Sequence, residues 1–172
     1  SNFYADDGKH QGVTALHTAP AIVIAEGYAT ADTLSKALGH PVVTAFDSGN
    51  LPKVAQALHD KYPQKTFIIA GDDDRSQEAV NGKNPGREKA MEAAELVNGV
   101  TVFATFAPNE QVTQKLSDFN DLANKSTLGF EAVKRQVGFV VAKVSEQSKV
   151  EKLERRVEQN QQEKQQKRVL VR

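Results

Sequence analysis

A chain of 172 residues with 39% hydrophobic side chains carries enough apolar material to bury the core of an ordinary domain. It has no cysteine, which excludes disulfides and thiolate zinc sites within this segment, and no window nears the roughly 18 consecutive apolar residues of a membrane helix. The formal net charge is zero, but Lys143–Arg172 holds nine Lys/Arg against five Glu, leaving a mildly acidic body of thirteen basic and seventeen acidic residues.

Such a body is a poor electrostatic footprint for gripping DNA unaided. No signal-peptide pattern opens the chain, and a cytoplasmic setting is expected. Ser1-Asn2 has the look of a tag remnant, so the segment reads as a piece of a longer protein, with residues 1–20 as a lead-in. A candidate edge strand falls at Val13–His17. Strand Ala21–Ala25 then leads to a helix from about Ala31 to Leu38, with Thr30 as its cap and Gly39 as its stop. Strand Pro41–Ala45, a turn at Asp47-Ser48-Gly49-Asn50 and a helix from Pro52 to about Lys61 follow. Val54, Ala55 and Leu58 form the apolar stripe of that helix.

Strand Thr66–Ala70 comes next, then a polar loop from Gly71 to Pro85. The spacing of Ala90, Ala93, Ala94 and Val97 predicts a helix over Gly86–Val97. Strand Val100–Phe106 and a second polar loop, Ala107–Ser117, precede a helical region from Phe119 to Val137 that is interrupted near Lys125–Thr127. Four strand–helix units of this spacing specify an α/β fold: a parallel four-stranded sheet with right-handed crossovers and flanking helices. That domain spans residues 21–138. Residues 139–172 are Gln-rich and charged, and their apolar seam of Val150, Leu153 and Val157 lasts only two turns. A coiled coil needs three or four heptads, so an extended helical tail linking to a following domain is expected.

The chemistry concentrates in three acidic clusters. Glu26 follows the first apolar strand, Asp72-Asp73-Asp74 follows Phe67–Gly71, and Asp118 and Asp121 lie in Ser117–Leu122. Ligands of open parallel sheets bind beyond the carboxyl ends of the strands, where these acids would converge. Crowded carboxylates repel unless a cation joins them, and oxygen-only ligands suit magnesium or manganese. Strand alternation lets Asp72 and Asp74 face one way while Asp73 points elsewhere. Each cluster also has a plainer reading. Glu26 alone could be a solvated loop residue, and Asp118 and Asp121 could be caps of the helix that follows.

Competing motifs are missing. Counting from Asp72, an EF-hand would need glycine at Gln77 and Glu at Lys83. No phosphate-binding G-x-x-x-x-G-K-[ST], dinucleotide G-x-G-x-x-G or serine nucleophile elbow occurs. His10, His17, His40 and His59 are scattered without metal-ligand spacing and read as surface or capping residues.

Five segments together resemble a Toprim domain, most closely that of bacterial DnaG-type primases of conjugative plasmids and mobile elements. They are Ala25–Ala31, Val42–Phe46 with Gly49-Asn50-Leu51, Ala70–Asp74, Asn84-Pro85-Gly86 and Asp118–Leu122, within roughly residues 10–138. The resemblance implies a Toprim-like (Rossmann-like) fold in a bacterial protein. It also implies that Glu26, Asp72 and Asp74 are catalytic metal-site acids, with Asp118 and Asp121 as additions, holding Mg2+ or Mn2+. Arg75, Lys83, Arg87 and Lys89 border this site as candidate phosphate contacts; a solvated loop is the alternative for each. The implied reaction is template-directed joining of ribonucleotides, with single-stranded DNA and nucleoside triphosphates as partners of the full-length protein and other domains of the same chain supplying the rest. An upstream zinc module and a basic subdomain, usual in such primases, are missing here, and the loop Arg75–Lys83 is longer than in compact cellular primases. The isolated piece is therefore expected to bind metal but to make primers poorly or not at all. Two alternatives keep the fold: a module of a conjugative relaxase or mobilisation protein, and a non-catalytic docking module.

Overall fold

The computed structural model describes residues 4–6 and 16–171. Its elements in chain order begin with β1 (Tyr4–Asp6), β2 (Ile22–Ala25), α1 (Tyr28–Leu38), β3 (Val42–Thr44) and, after a 3-10 turn at Ser48–Asn50, α2 (Leu51–Lys61). They continue with β4 (Phe67–Ala70), α3 (Arg75–Asn81), α4 (Pro85–Leu96), β5 (Val100–Val102), α5 (Glu110–Thr113), α6 (Phe119–Asn124) and α7 (Gly129–Leu170).

The sheet order is β1-β3-β2-β4-β5. β3, β2, β4 and β5 run parallel, and β1 closes the edge antiparallel to β3. The expected parallel four-stranded sheet is present, with this fifth strand added. β2 and β4 are buried along their whole lengths, as unbroken apolar strands covered on both faces must be. Their side chains alternate between two cores. Val23, Ala25, Ile68 and Ala70 meet Leu34 of α1, Phe119 and Leu122 of α6, and Val133 and Val137 of α7. Ile22, Ile24, Phe67 and Ile69 meet Leu51, Ala55 and Leu58 of α2 and Ala90 and Ala93 of α4.

Several expectations are corrected. α1 starts at Tyr28, three residues early, because extended Gly27 is its cap and the Gly27 carbonyl already accepts from Ala31 N at 3.0 Å. Thr30, expected as the cap, is buried inside the helix. β5 stops at Val102 rather than Phe106: its partner β4 runs out after Ala70, and Gly71 N to Val102 O (3.3 Å) is the last rung. The loop after β4 contains α3, which Asp74 caps by accepting from Gln77 N at 2.9 Å and left-handed Gly82 ends. The second polar loop contains α5. The edge strand lies at Tyr4–Asp6; most of Val13–His17 falls outside the described residues, and its last two residues are helical. Ser1-Asn2 also lies outside the described residues.

The interruption near Lys125–Thr127 separates α6 from α7. α7 then runs 42 residues, burying Ala132, Val133, Val137, Val141 and Val144 before leaving the domain surface. Val150, Leu153 and Val157 on its free length are exposed. No described helix is long and apolar enough to cross a membrane.

Candidate metal centre

Strand order places the site. β3 lies on one side of β2 and β4 on the other, so successive crossovers diverge and open a crevice at the carboxyl ends of β2 and β4. Register sets Ala25 opposite Ala70, so Glu26 leaves the sheet beside Gly71, and the next residue, Asp72, hydrogen-bonds the Glu26 carboxylate through its backbone. Gly86 at the start of α4 wedges beneath both. A Cβ there would stand 3.0 Å from Glu26 Oε2, 2.9 Å from Asp72 O and 3.1 Å from Asp72 Cβ. Only glycine lets α4 approach the two acids this closely.

The two carboxylates are poorly satisfied. Glu26 Oε2 and Asp72 Oδ1 are buried and accept no hydrogen bond. Burial, followed by the charge of Asp47, pushes the Glu26 carboxyl up, against weaker opposing pulls from the Asp72 and Ser48 backbone. Asp72 is pushed up to about 8, by burial first and then by the charges of Glu26, Asp118, Asp121 and Asp74. Six acids, Asp47 included, thus share one field, and no cationic side chain pairs with Glu26 or Asp72 among the described residues.

The remaining acids are tied down. Asp118 caps α6 by accepting from Asp121 N at 2.7 Å, and burial raises its pKa despite a hydrogen bond from Thr30. The capping reading of Asp118 is thus met, yet its charge still bears on both Glu26 and Asp72. Asp121 accepts from Ser117 N at 2.9 Å and pairs with Lys125 at 3.0 Å. Asp74 is engaged as the α3 cap.

Asp73 is only 4% exposed. Its Oδ2 meets Arg75 Nε at 3.0 Å and Arg87 Nη1 at 3.3 Å, while its Oδ1 accepts from Asn84 Nδ2 at 2.7 Å. Both arginines face a cavity of about 840 Å³ lined also by Phe103, Phe106 and Gln111. Arg87 lies over the Phe103 ring, 4.4 Å from its centroid. Of the other basic residues proposed to border the site, Lys83 is exposed and Lys89 pairs with Glu92 at 2.8 Å on the surface of α4.

Sequence reasoning marks Asp73 in Ala70–Asp74 and Asn84 and Gly86 in Asn84-Pro85-Gly86 but gives them, like Asp47, no part in the site. Asp47 had a readable signal: it follows its strand much as Glu26 follows β2. The Asn84 side chain makes four bonds, to Asp73, Glu78 (3.2 Å), Asp74 N (3.2 Å) and Arg87 N (3.4 Å), which exist only once α3 has folded. No described histidine joins the acids. His40 is half-buried beside Pro41, His59 lies against Phe67 and His17 lies near Tyr62, while His10 is outside the described residues.

Among the described residues no three acidic or histidine side chains form a ready-made ion cage. The two orphaned oxygens nevertheless fit a magnesium-like ion. Such ions are commonly held by one or two carboxylates and complete their shell with water and substrate phosphate. Glu26 and Asp72 are the residues that could hold it.

A family model described as Toprim domain matches residues 21–127. Two curated relatives from Escherichia coli, each described as DNA primase TraC, are 39% identical to the chain over 82% and 88% of its length. The chain spans only 14% and 20% of the length of those relatives. No solved structure matches it.

Proposed function

The chain belongs to the Toprim family, its Toprim domain resembling those of conjugative-plasmid primases, and from that premise we propose that it is the catalytic-core portion of a DNA primase of that type. Its reaction is the joining of ribonucleotides on single-stranded DNA, in the cytoplasm of a bacterium, with other domains of the full-length protein supplying template grip. Residues 21–138, with the buried stretch of α7 through Val144, form the catalytic module, and the exposed remainder of α7 connects it to a following domain.

The observation that carries the reading is the pair of buried, unpartnered oxygens on Glu26 and Asp72 within a field of six acids. Glu26 and Asp72 hold Mg2+ or Mn2+, and Asp74, Asp118 and Asp121 add negative potential around it. When bound, the ion neutralises triphosphate charge and the charge that develops as the phosphoryl group transfers. Arg75 and Arg87, steadied by Asp73 at the cavity wall, receive phosphate oxygens of the nucleotide. A guanidinium presents several donors in a fixed plane, which suits that task. Lys83 and Lys89 contribute longer-range attraction only. The β2–β4 crevice buries Glu26 Oε2 and Asp72 Oδ1, so the charge there is screened less than in open water.

Full-length protein carrying Glu26→Gln or Asp72→Asn is expected to lose primer synthesis while keeping its fold. Synthesis at the wild-type rate by both variants would overturn the assignment. The isolated chain is expected to show a manganese-dependent rise in Tm that both substitutions reduce.

A further inference from the structure

Phe46 leaves the end of β3 with φ of +70°, in the left-handed region where a bulky side chain is an outlier. It belongs to neither core cluster and is 57% exposed. Glycine or asparagine would make this turn with less strain, so the fold gains nothing from a phenyl ring here.

The ring's base is nonetheless firmly anchored. Thr44 is 1% exposed, and its Oγ1 accepts from Phe46 N at 3.3 Å while donating to the Glu26 carbonyl at 3.4 Å. Ala45 N bonds Ala25 O at 2.9 Å. Next in sequence, Asp47 is fixed by accepting from Asn50 N at 3.0 Å, and its charge reaches Glu26. A buried hydroxyl thus couples the strained aromatic residue to the backbone of the leading metal-site acid.

We propose that Phe46 is a nucleobase-stacking platform at the rim of the acid cluster. This rests on reading those acids as a phosphoryl-transfer centre. A ring presented to solvent offers a flat apolar face that accepts any base, because every base has a π-face. Strain persists at sites where the surroundings over-determine it, and the Thr44 bridge provides that constraint. The base belongs either to an incoming nucleoside triphosphate or to the nucleic-acid strand.

The test uses this 172-residue chain as wild type, Phe46→Gly and Phe46→Trp, with two probes in manganese buffer. One probe is a single-stranded DNA oligonucleotide carrying 2-aminopurine, whose fluorescence is quenched by stacking. The other is a free fluorescent purine triphosphate. Phe46→Gly relieves the backbone, so its Tm is expected to rise while affinity for one or both probes falls about tenfold. Phe46→Trp is expected to retain binding and quenching. A loss confined to the oligonucleotide identifies the strand as the source of the base, and a loss confined to the triphosphate identifies the nucleotide. Wild-type affinity and quenching for both probes in Phe46→Gly, or no binding of either probe by the wild type, would overturn the platform. The underlying metal reading is checked separately by whether wild-type Tm responds to manganese. A response there with unchanged Phe46→Gly binding sinks the platform alone.

Discussion

Asp72 has a carboxylate that the metal-free fold disfavours, and pH exposes the cost. Its pKa is raised to about 8 from an ordinary 3.8, so its contribution to stability is fully present below about pH 4 and is lost as pH rises through 8. In chelator, Tm is expected to decline across that window, and Asp72→Asn is expected to flatten the decline. At pH 8 the variant should melt about 2–8 °C higher, equivalent to roughly 1–2 kcal/mol. A Tm profile unchanged by the substitution would contradict the electrostatic description. Gly86→Ala puts a methyl group against Asp72 O and Glu26 Oε2. It should cost about 1–3 kcal/mol in chemical denaturation and blunt the manganese response. Of the site acids, those directly after strands were legible because parallel-sheet geometry fixes where strand ends point. For Asp73, alternation says that the side chain points away from Asp72 and Asp74 but not which arginines await it.

Secondary elements were legible where an apolar stripe is long, as in α2, whose Val54, Ala55 and Leu58 are buried as read. They were missed where a helix is short and polar. α3 buries no residue and depends on its ends, Asp74 as a cap accepting from Gln77 N and Gly82 as the stop. The signal was present but was read as loop chemistry. Asp74→Ala should cost about 1 kcal/mol and speed amide exchange over Arg75–Asn81. α5 is secured differently. Glu110 accepts from Ser126 Oγ at 2.5 Å, Thr127 Oγ1 at 2.6 Å and Thr127 N at 2.8 Å, bonds that pull its carboxyl down to about 2. Its contribution is present above about pH 4.5 and fades as pH falls through 2. Glu110→Gln should therefore lower Tm at pH 7, with the gap from wild type narrowing towards pH 2. A gap independent of pH would argue against these charge-assisted bonds.

At the scale of the molecule, a ligand that binds only the folded chain stabilises it by mass action. Metal at 100 times its Kd should add about 2.7 kcal/mol, read as a Tm rise that Glu26→Gln reduces. Core and tail divide just as sharply in α7, which is exposed throughout beyond Ser148. Truncation after Ser148 should shift Tm by less than about 2 °C, since surface changes are usually within ±0.5 kcal/mol. The parallel sheet and its helical flanks were legible from the alternation of apolar runs. The edge strand is expected at Val13–His17, whereas Tyr4–Asp6 forms it, because three residues carry too short a pattern to register.

The uninterrupted backbone of α7 has a further mechanical meaning. At about 1.5 Å per residue its 42 residues make a rod of about 63 Å, clamped by Ala132 through Val144 so that its angular setting is fixed. Each residue inserted into the free length would swing any attached module by about 100°, whereas seven would almost restore the original phase. Spacer insertions of two and seven residues in the full-length protein should consequently behave unequally, as a screw thread would dictate and a slack tether would not.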